Sequence, residues 1–178
     1  PNGQHEPSAI DLTQEALMGS NQQMLAFLNQ LLDLIQERVM YTQRHVGPAW
    51  TAGRTLRERI GSCRDLAMLM VACCRVAGLP ARFVSGYQLQ TPAPDHYDLH
   101  AWAEVYLPGA GWRGFDPSAG AEVNERYVVL ATSSRPELTA AVSGTFSGPP
   151  NTGSELSWDI SVEEDSSEAP ARAMVQAA

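Results

Sequence analysis

The sequence contains no lysine; all twelve of its basic residues are arginine. Base composition of the coding DNA is the simplest source of that bias. One chemical exclusion follows: the chain cannot act as its own lysine acceptor in a crosslinking reaction. Cysteine is scarce, with three residues, Cys63, Cys73 and Cys74. An odd number with two adjacent is a poor disulfide framework. No second Cys-x-x-Cys pair or His-rich spacing completes a zinc site. A reducing compartment is therefore expected, and with it a cytoplasmic location. No apolar run approaches the ~20 residues of a membrane span and no signal peptide is visible, so no membrane partner is expected. Positive charge is nowhere clustered and the formal net charge is −8, which argues against a nucleic-acid partner. No Asp-x-Asp-x-Asp-Gly loop is present, and Asp95 and Asp98 are too sparse to hold calcium. No metal or cofactor is expected.

What is there suits one soluble domain. The 178 residues are 44% hydrophobic and 18% charged, enough for a proper core. The chain opens at Pro1 rather than Met, so it is expected to be a piece of a longer protein. Its acidity is concentrated at the end, where Glu155, Asp159, Glu163, Glu164, Asp165 and Glu168 face one basic residue, Arg172. The expected organisation is a lead-in over 1–10, a folded domain over 11–164 and an acidic, disordered tail over 165–178.

The first half reads as helical. Residues 11–18 form a short helix capped by Asp11 and broken by Gly19. Ser20 and Gln23 offer a capping box for a long helix reaching about Tyr41. Its apolar stripe is Met24, Leu25, Leu28, Leu31, Leu32, Ile35 and Val39. A loop over 42–54 contains Gly47, Pro48 and Gly53, and Thr55 with Glu58 caps a helical turn leading to Gly61. Ser62 and Asp65 form a second capping box, which makes Cys63 the first residue of a helix running to about Ala77. Gly78 then ends that helix and Pro80 prevents its continuation.

From there the period changes to two. Strands are expected over 81–89, 100–107 and 112–117, with a tight turn over 108–111, and further strands over 127–130, 138–146 and 154–162. Helices followed by antiparallel strands make an α+β domain.

Three residues in this order can do chemistry together. Cys63 starts a helix, where the positive end of the dipole favours a thiolate. His100 starts a strand and Asp116 ends the next one. An imidazole beside the thiol supports the thiolate and delivers its proton to a leaving group, while a carboxylate on the other ring nitrogen fixes the tautomer. A three-residue loop over 108–110 pairs Leu107 with Gly111 and hence Trp102 with Asp116. His100 and Asp116 then become diagonal neighbours on one face, ~7–8 Å apart at the backbone. A four-residue loop moves Asp116 to the other face. Plainer readings exist for the rest. Cys73 and Cys74 are core residues, His5 and His45 are incidental, and His96 lies in a loop. Trp102, Tyr106 and Trp112 read most simply as hairpin packing.

The stretch "GSCRDLAMLMVACCRVAGLPARFVSGY" followed by "HAWAEVYLPGAGWRGFDPSAG" resembles the transglutaminase-like superfamily, with its bacterial transglutaminase-like and cysteine protease domains. The likeness covers residues 11–165 and is densest over 56–120. It rests on a Gly-x-Cys-x-Asp helix start, a Gly-x-Pro-Ala-Arg-x-Val-Ser-Gly-Tyr strand, a His-Ala-Trp strand and a Gly-Trp…Phe-Asp-Pro strand.

The resemblance implies a papain-like α+β fold with Cys63 as nucleophile, His100 as base and acid, and Asp116 as orienter. The Cys63 backbone N–H is the natural first oxyanion donor. Tyr41 and Trp102 are candidates for substrate or oxyanion contacts, with Gln43 and Trp50 as alternatives for a second donor. The implied chemistry is acyl transfer through a thioester on a peptide or protein substrate. Hydrolysis comes first, since nothing in the sequence marks the dry tunnel an amine acceptor needs. A protein-glutamine transglutaminase is the alternative, and a non-catalytic peptide-binding module is the reading from another class. Oligomeric state is not legible.

Overall fold

The computed structural model describes residues 6–21, 23–90, 92, 97–142, 144–145, 147–149, 153 and 160–162. Helix α1 spans Pro7–Gly19 and so begins inside the expected lead-in. Pro7 explains the early start, because at the first helical position it has no N–H to lose and its φ is already helical. Ser20 does not cap the next helix. It closes α1, donating its Oγ to Leu17 O at 2.9 Å. Helix α2, Met24–Arg38, starts from Gln23 instead. Phe27, Leu28, Leu31, Leu32, Leu34 and Ile35 form its buried face, while Leu25 is exposed. The helix stops before Tyr41 because Val39 turns extended. The next two residues form strand β1, Met40–Tyr41, which pairs in parallel with β2, Ile60–Gly61.

Helix α3, Ala52–Glu58, is capped by Thr51 rather than Thr55. Thr55 is buried within the helix and turns its hydroxyl back onto Thr51 O at 3.1 Å. Helix α4, Cys63–Val76, takes the expected bounds. Leu66, Ala67, Leu69, Met70, Val71, Cys73 and Cys74 are its buried face. Gly78 follows with φ +79, the left-handed conformation that ends a helix without a Cβ penalty. The main core gathers Leu12, Leu28, Ile35, Leu69, Met70 and Phe115 from α1, α2, α4 and the sheet.

The sheet is antiparallel in the order β6-β5-β4-β3-β7. Its strands are β3 (Ala81–Gln88), β4 (His100–Leu107), β5 (Gly111–Asp116), β6 (Ala121–Glu122) and β7 (Tyr127–Ser133). The β4–β5 register pairs Leu107 with Gly111 and Ala103 with Phe115, as a three-residue loop requires. One residue further along, Asp116 stands across from Trp102 and on the face of His100.

Strand β7 runs past its expected end, and the expected strand over 138–146 is absent from the described residues. Pro136–Thr139 instead forms a 3-10 turn, consistent with a proline that has no N–H for a ladder. That turn is anchored where Ser85 Oγ donates to Thr139 O at 2.6 Å. Most of the expected 154–162 strand, and the 165–178 tail, lie outside the described residues. Among those described, no helix is long and apolar enough to cross a membrane.

Strand β7 reaches the site by crowding Gly86. A bulge shifts the β3–β7 register between Ser85 and Gly86. A Cβ on Gly86 would lie 2.0 Å from Val128 O and 2.6 Å from the Trp102 ring, and one of those contacts is backbone. Gly86→Ala is therefore expected to destabilise the fold by about 1–3 kcal/mol, the range for overpacking. Gly144→Ala, where a Cβ meets open space, should stay within about 0.5 kcal/mol of the parent. Urea denaturation of the two variants checks this; equal midpoints would refute the crowding.

Candidate active site

The nucleophile candidate is set by the start of α4. Ser62 closes a capping box with Asp65, whose carboxylate accepts from Ser62 N at 2.8 Å and Ser62 Oγ at 2.7 Å. The same buried carboxylate accepts from Trp50 N at 2.7 Å and from the Arg44 guanidinium through two nitrogens. Burial opposes its charge, but the hydrogen bonds from Arg44, Trp50 and Ser62 outweigh this and hold Asp65 below the ordinary carboxylate range. Asp65 thus fixes both the first turn of α4 and the loop that leads toward it. Trp50 sits between the guanidiniums of Arg44 and Arg54, at 4.7 and 4.0 Å from its ring. Cys63 is half-buried against Ala67, Phe83 and Ala101. As the first helical residue its N–H has no intrahelical acceptor.

His100 and Asp116 meet as the register requires. His100 Nε2 lies 2.6 Å from Asp116 Oδ2, which leaves Nδ1 as the ring nitrogen for the Cys63 sulfur. Burial disfavours a charged ring. Hydrogen bonds to Asp116 and Cys63, with the charges of both, override it and push His100 up from 6.5 to about 9. Asp116 has no solvent exposure. Its burial is outweighed by His100, Ser118 and Tyr127, which hold the carboxyl below its ordinary value. Oδ1 accepts from Ser118 N at 2.9 Å, Ser118 Oγ at 2.6 Å and Ala119 N at 3.3 Å. Oδ2 also accepts from the Tyr127 hydroxyl at 2.9 Å.

The other candidates separate. Tyr41 is half exposed on β1, whose partner Gly61 lies two residues before Cys63. Burial first, then the charges of Cys63, Asp116 and Asp98, push its phenol above its ordinary value. Gln43, two residues on, donates to Asp98 Oδ2 at 3.1 Å. Trp50 is committed to its arginines and to Asp65.

Trp102 is fully buried and cannot meet a substrate. It supports the site from below, with its ring 6.2 Å from His100 and edge-on to Tyr127 at 5.3 Å. Tyr106 and Trp112 pack edge to face at the hairpin. His5, Asp95 and His96 lie outside the described residues. Tyr127 and Ser118 were missed as supports of Asp116. Ser118 carries a local signal, since Asp-x-Ser favours an Asx turn. Tyr127 comes from β7, three places from β5 in the sheet, and carries none.

The arrangement joins a thiol at a helix N-terminus, a ring that holds its proton to high pH and an immobilised carboxylate. The papain-like, transglutaminase-like fold is thus in place, and comparison with known proteins agrees. The transglutaminase-like superfamily matches residues 11–117, and the chain belongs to it. Over 85 residues it is 39% identical to an uncharacterized protein of Mycobacterium tuberculosis, covering 42% of this chain and 27% of that protein. Over 67 residues it is 40% identical to the protein-glutamine gamma-glutamyltransferase of Pseudomonas aeruginosa, covering 34% of this chain and 10% of that protein.

Among solved structures it is similar to a "putative cysteine protease" from Cytophaga hutchinsonii, at 29% identity and TM-score 0.60, over 75% of this chain and 45% of that one. It is also similar to the periplasmic domain of TgpA from Pseudomonas aeruginosa, at 28% identity and TM-score 0.53, over 67% of this chain and 45% of that one. The chain spans less than half the length of each of these proteins.

The cytoplasmic expectation is corrected by this comparison, since the TgpA domains are periplasmic. The cysteine count misled for a local reason. Cys73 and Cys74 are fully buried. Burial pushes Cys73 up to about 11, and Cys74 rises further through burial and then the charge of Cys73. Buried thiols of this kind act as small apolar groups and say nothing of the compartment.

A pH dependence of stability follows from His100. Its folded value of about 9 lies above the usual 6.5, so the folded state holds the extra proton between them. The stabilisation is complete below about pH 6.5 and is lost as pH rises through 9. Urea denaturation from pH 6 to 9.5 should show stability falling across that window. Asp116→Asn should lose most of the slope; an unchanged slope would contradict the ion pair.

Proposed function

We propose that the chain carries out cysteine-dependent acyl transfer on peptide or isopeptide amide bonds, with water as the usual acceptor. The observation that carries this reading is the 2.6 Å His100–Asp116 pair beside a thiol at the start of α4. The Cys63 sulfur attacks the amide carbonyl carbon, and the carbonyl π electrons move onto oxygen. The Cys63 N–H faces that oxyanion, and the Tyr41 hydroxyl is the candidate second donor. His100 gives its proton to the amide nitrogen, the C–N bond breaks and the amine leaves. The thioester remains. Water then gives a proton to His100 and attacks the thioester carbon. The C–S bond breaks, the acid departs, and the thiolate–imidazolium pair is restored. Asp116 keeps the ring oriented and supports its charge throughout. The similarity to periplasmic domains supports an extracytoplasmic location.

A second reading has its own support. Likeness to a protein-glutamine gamma-glutamyltransferase favours an amine as acceptor on the same thioester, which would make the chain a transglutaminase. The two readings diverge only after the first amine has left, so one assay separates them.

The full chain is incubated near pH 7.5 with a peptide library and a labelled primary amine. New termini without label are expected from hydrolysis, and incorporated label would transfer the assignment to amine transfer. Iodoacetamide should alkylate Cys63 ahead of the buried Cys73 and Cys74, and His100→Ala should slow it sharply. His100→Ala and Cys63→Ala should each reduce turnover by at least about 100-fold. Full turnover in either variant would reject the mechanism. No turnover of any peptide by the parent, with Cys63 unreactive, would leave a binding module.

A further inference from the structure

The two oxygens of Asp116 are loaded differently. Oδ1 is held by its own turn, through Ser118 and Ala119. Oδ2 is shared. It takes the His100 ring at 2.6 Å and the Tyr127 hydroxyl at 2.9 Å. The Tyr127 oxygen in turn accepts from Gln88 Nε2 at 2.8 Å, and Gln88 and Tyr127 are register partners in the β3–β7 ladder. A continuous line of donors therefore runs from Gln88 through Tyr127 to the oxygen that holds the ring. The Tyr127 ring is braced at the same time, 6.1 Å from His100 and edge-on to Trp102.

We propose that Tyr127 is a positioning residue of the site, sharing Asp116 Oδ2 with His100 so as to limit how tightly the carboxylate holds the ring's proton, with Gln88 strengthening the tyrosine as a donor. The inference rests on the acyl-transfer reading for its use and on geometry for its content. Two donors on one oxygen draw on the same electron density, so each weakens the other's bond. An imidazolium gripped too strongly is a poor acid toward a leaving amine, because proton transfer is fastest when the acid's pKa lies near the working pH. A donor that accepts from another donor is polarised and donates better, which is the part Gln88 plays.

The remaining charges around the ring come from named places. Cys63 faces it from α4 and Asp116 from β5, and Tyr41 on β1 interacts with both of these. Asp98 lies two residues before the ring on its own segment. Burial, and then the charge of Asp116, push the Tyr127 phenol upward, so it remains a donor across the working range.

The test is a nuclear magnetic resonance titration of the His100 ring in the full chain, assigned by comparison with His100→Gln. Tyr127→Phe keeps the aromatic brace and removes the shared donor. The His100 midpoint should move up by roughly half to one unit, the size of one competing hydrogen bond. Gln88→Leu should move it in the same direction by less. No shift or a downward shift in Tyr127→Phe would overturn the proposal. Should that variant fail to fold, an unchanged or lowered midpoint in Gln88→Leu would do the same. In the peptide assay Tyr127→Phe should lower kcat several-fold with KM little changed, and its alkaline limb should rise with the ring. The titration needs no substrate, so its result stands apart from whether the chain hydrolyses or transfers.

Discussion

A carboxylate sealed from water has to be satisfied by the protein around it, and the rest of this site is arranged to meet that requirement at Asp116. Leaving one such charge unpaired costs several kcal/mol. The fold supplies a turn for one oxygen and two side chains for the other. Those donors come from the residues just after β5, from the start of β4 and from β7. The sheet must bring β7 into place before the carboxylate is complete, so the order of strands and the chemistry of the site are one constraint.

The helical half answers the same demand at Asp65. That carboxylate binds its own helix cap and the loop before α3, so the start of α4 and the segment leading to it are held as a unit. Each side of the site thus has a buried acid with a structural task, and the Cys63 thiol lies between them. Cys63 itself needs few partners. Its position follows from the cap, and its environment follows from His100.

Much of this was legible in the sequence where the determinant is local. The Ser62–Asp65 box, Gly78 and Pro80 bound α4 from either end, and a three-residue loop settles the β4–β5 register and with it the face on which Asp116 lies. Errors arose where one residue type serves two ends. Ser20 suits a helix N-terminus, yet here its hydroxyl closes the preceding helix, and Thr51 takes the cap assigned to Thr55. The alternation over 138–146 suggested a strand, but Pro136 and the anchor to Ser85 turn the chain into a 3-10 turn. Trp102 follows the His-Ala-Trp pattern into the site region, but the pleat and the close approach at Gly86 bury it beneath the ring. Tyr127 had no local mark, because its role depends on β7 lying beside β3 rather than on any neighbour in sequence. The cysteine count pointed to the wrong compartment because two of the three thiols are core residues.

The Gln43–Asp98 hydrogen bond gives the site an unequal margin. It joins the segment after β1 to the segment before β4, one from each flank of Cys63, and both partners are exposed. Contacts of this sort in water contribute little net free energy. The buried carboxylates of Asp65 and Asp116 keep their donors whatever this contact does, so the tie between these two segments can part at small cost while the arrangement beneath it persists.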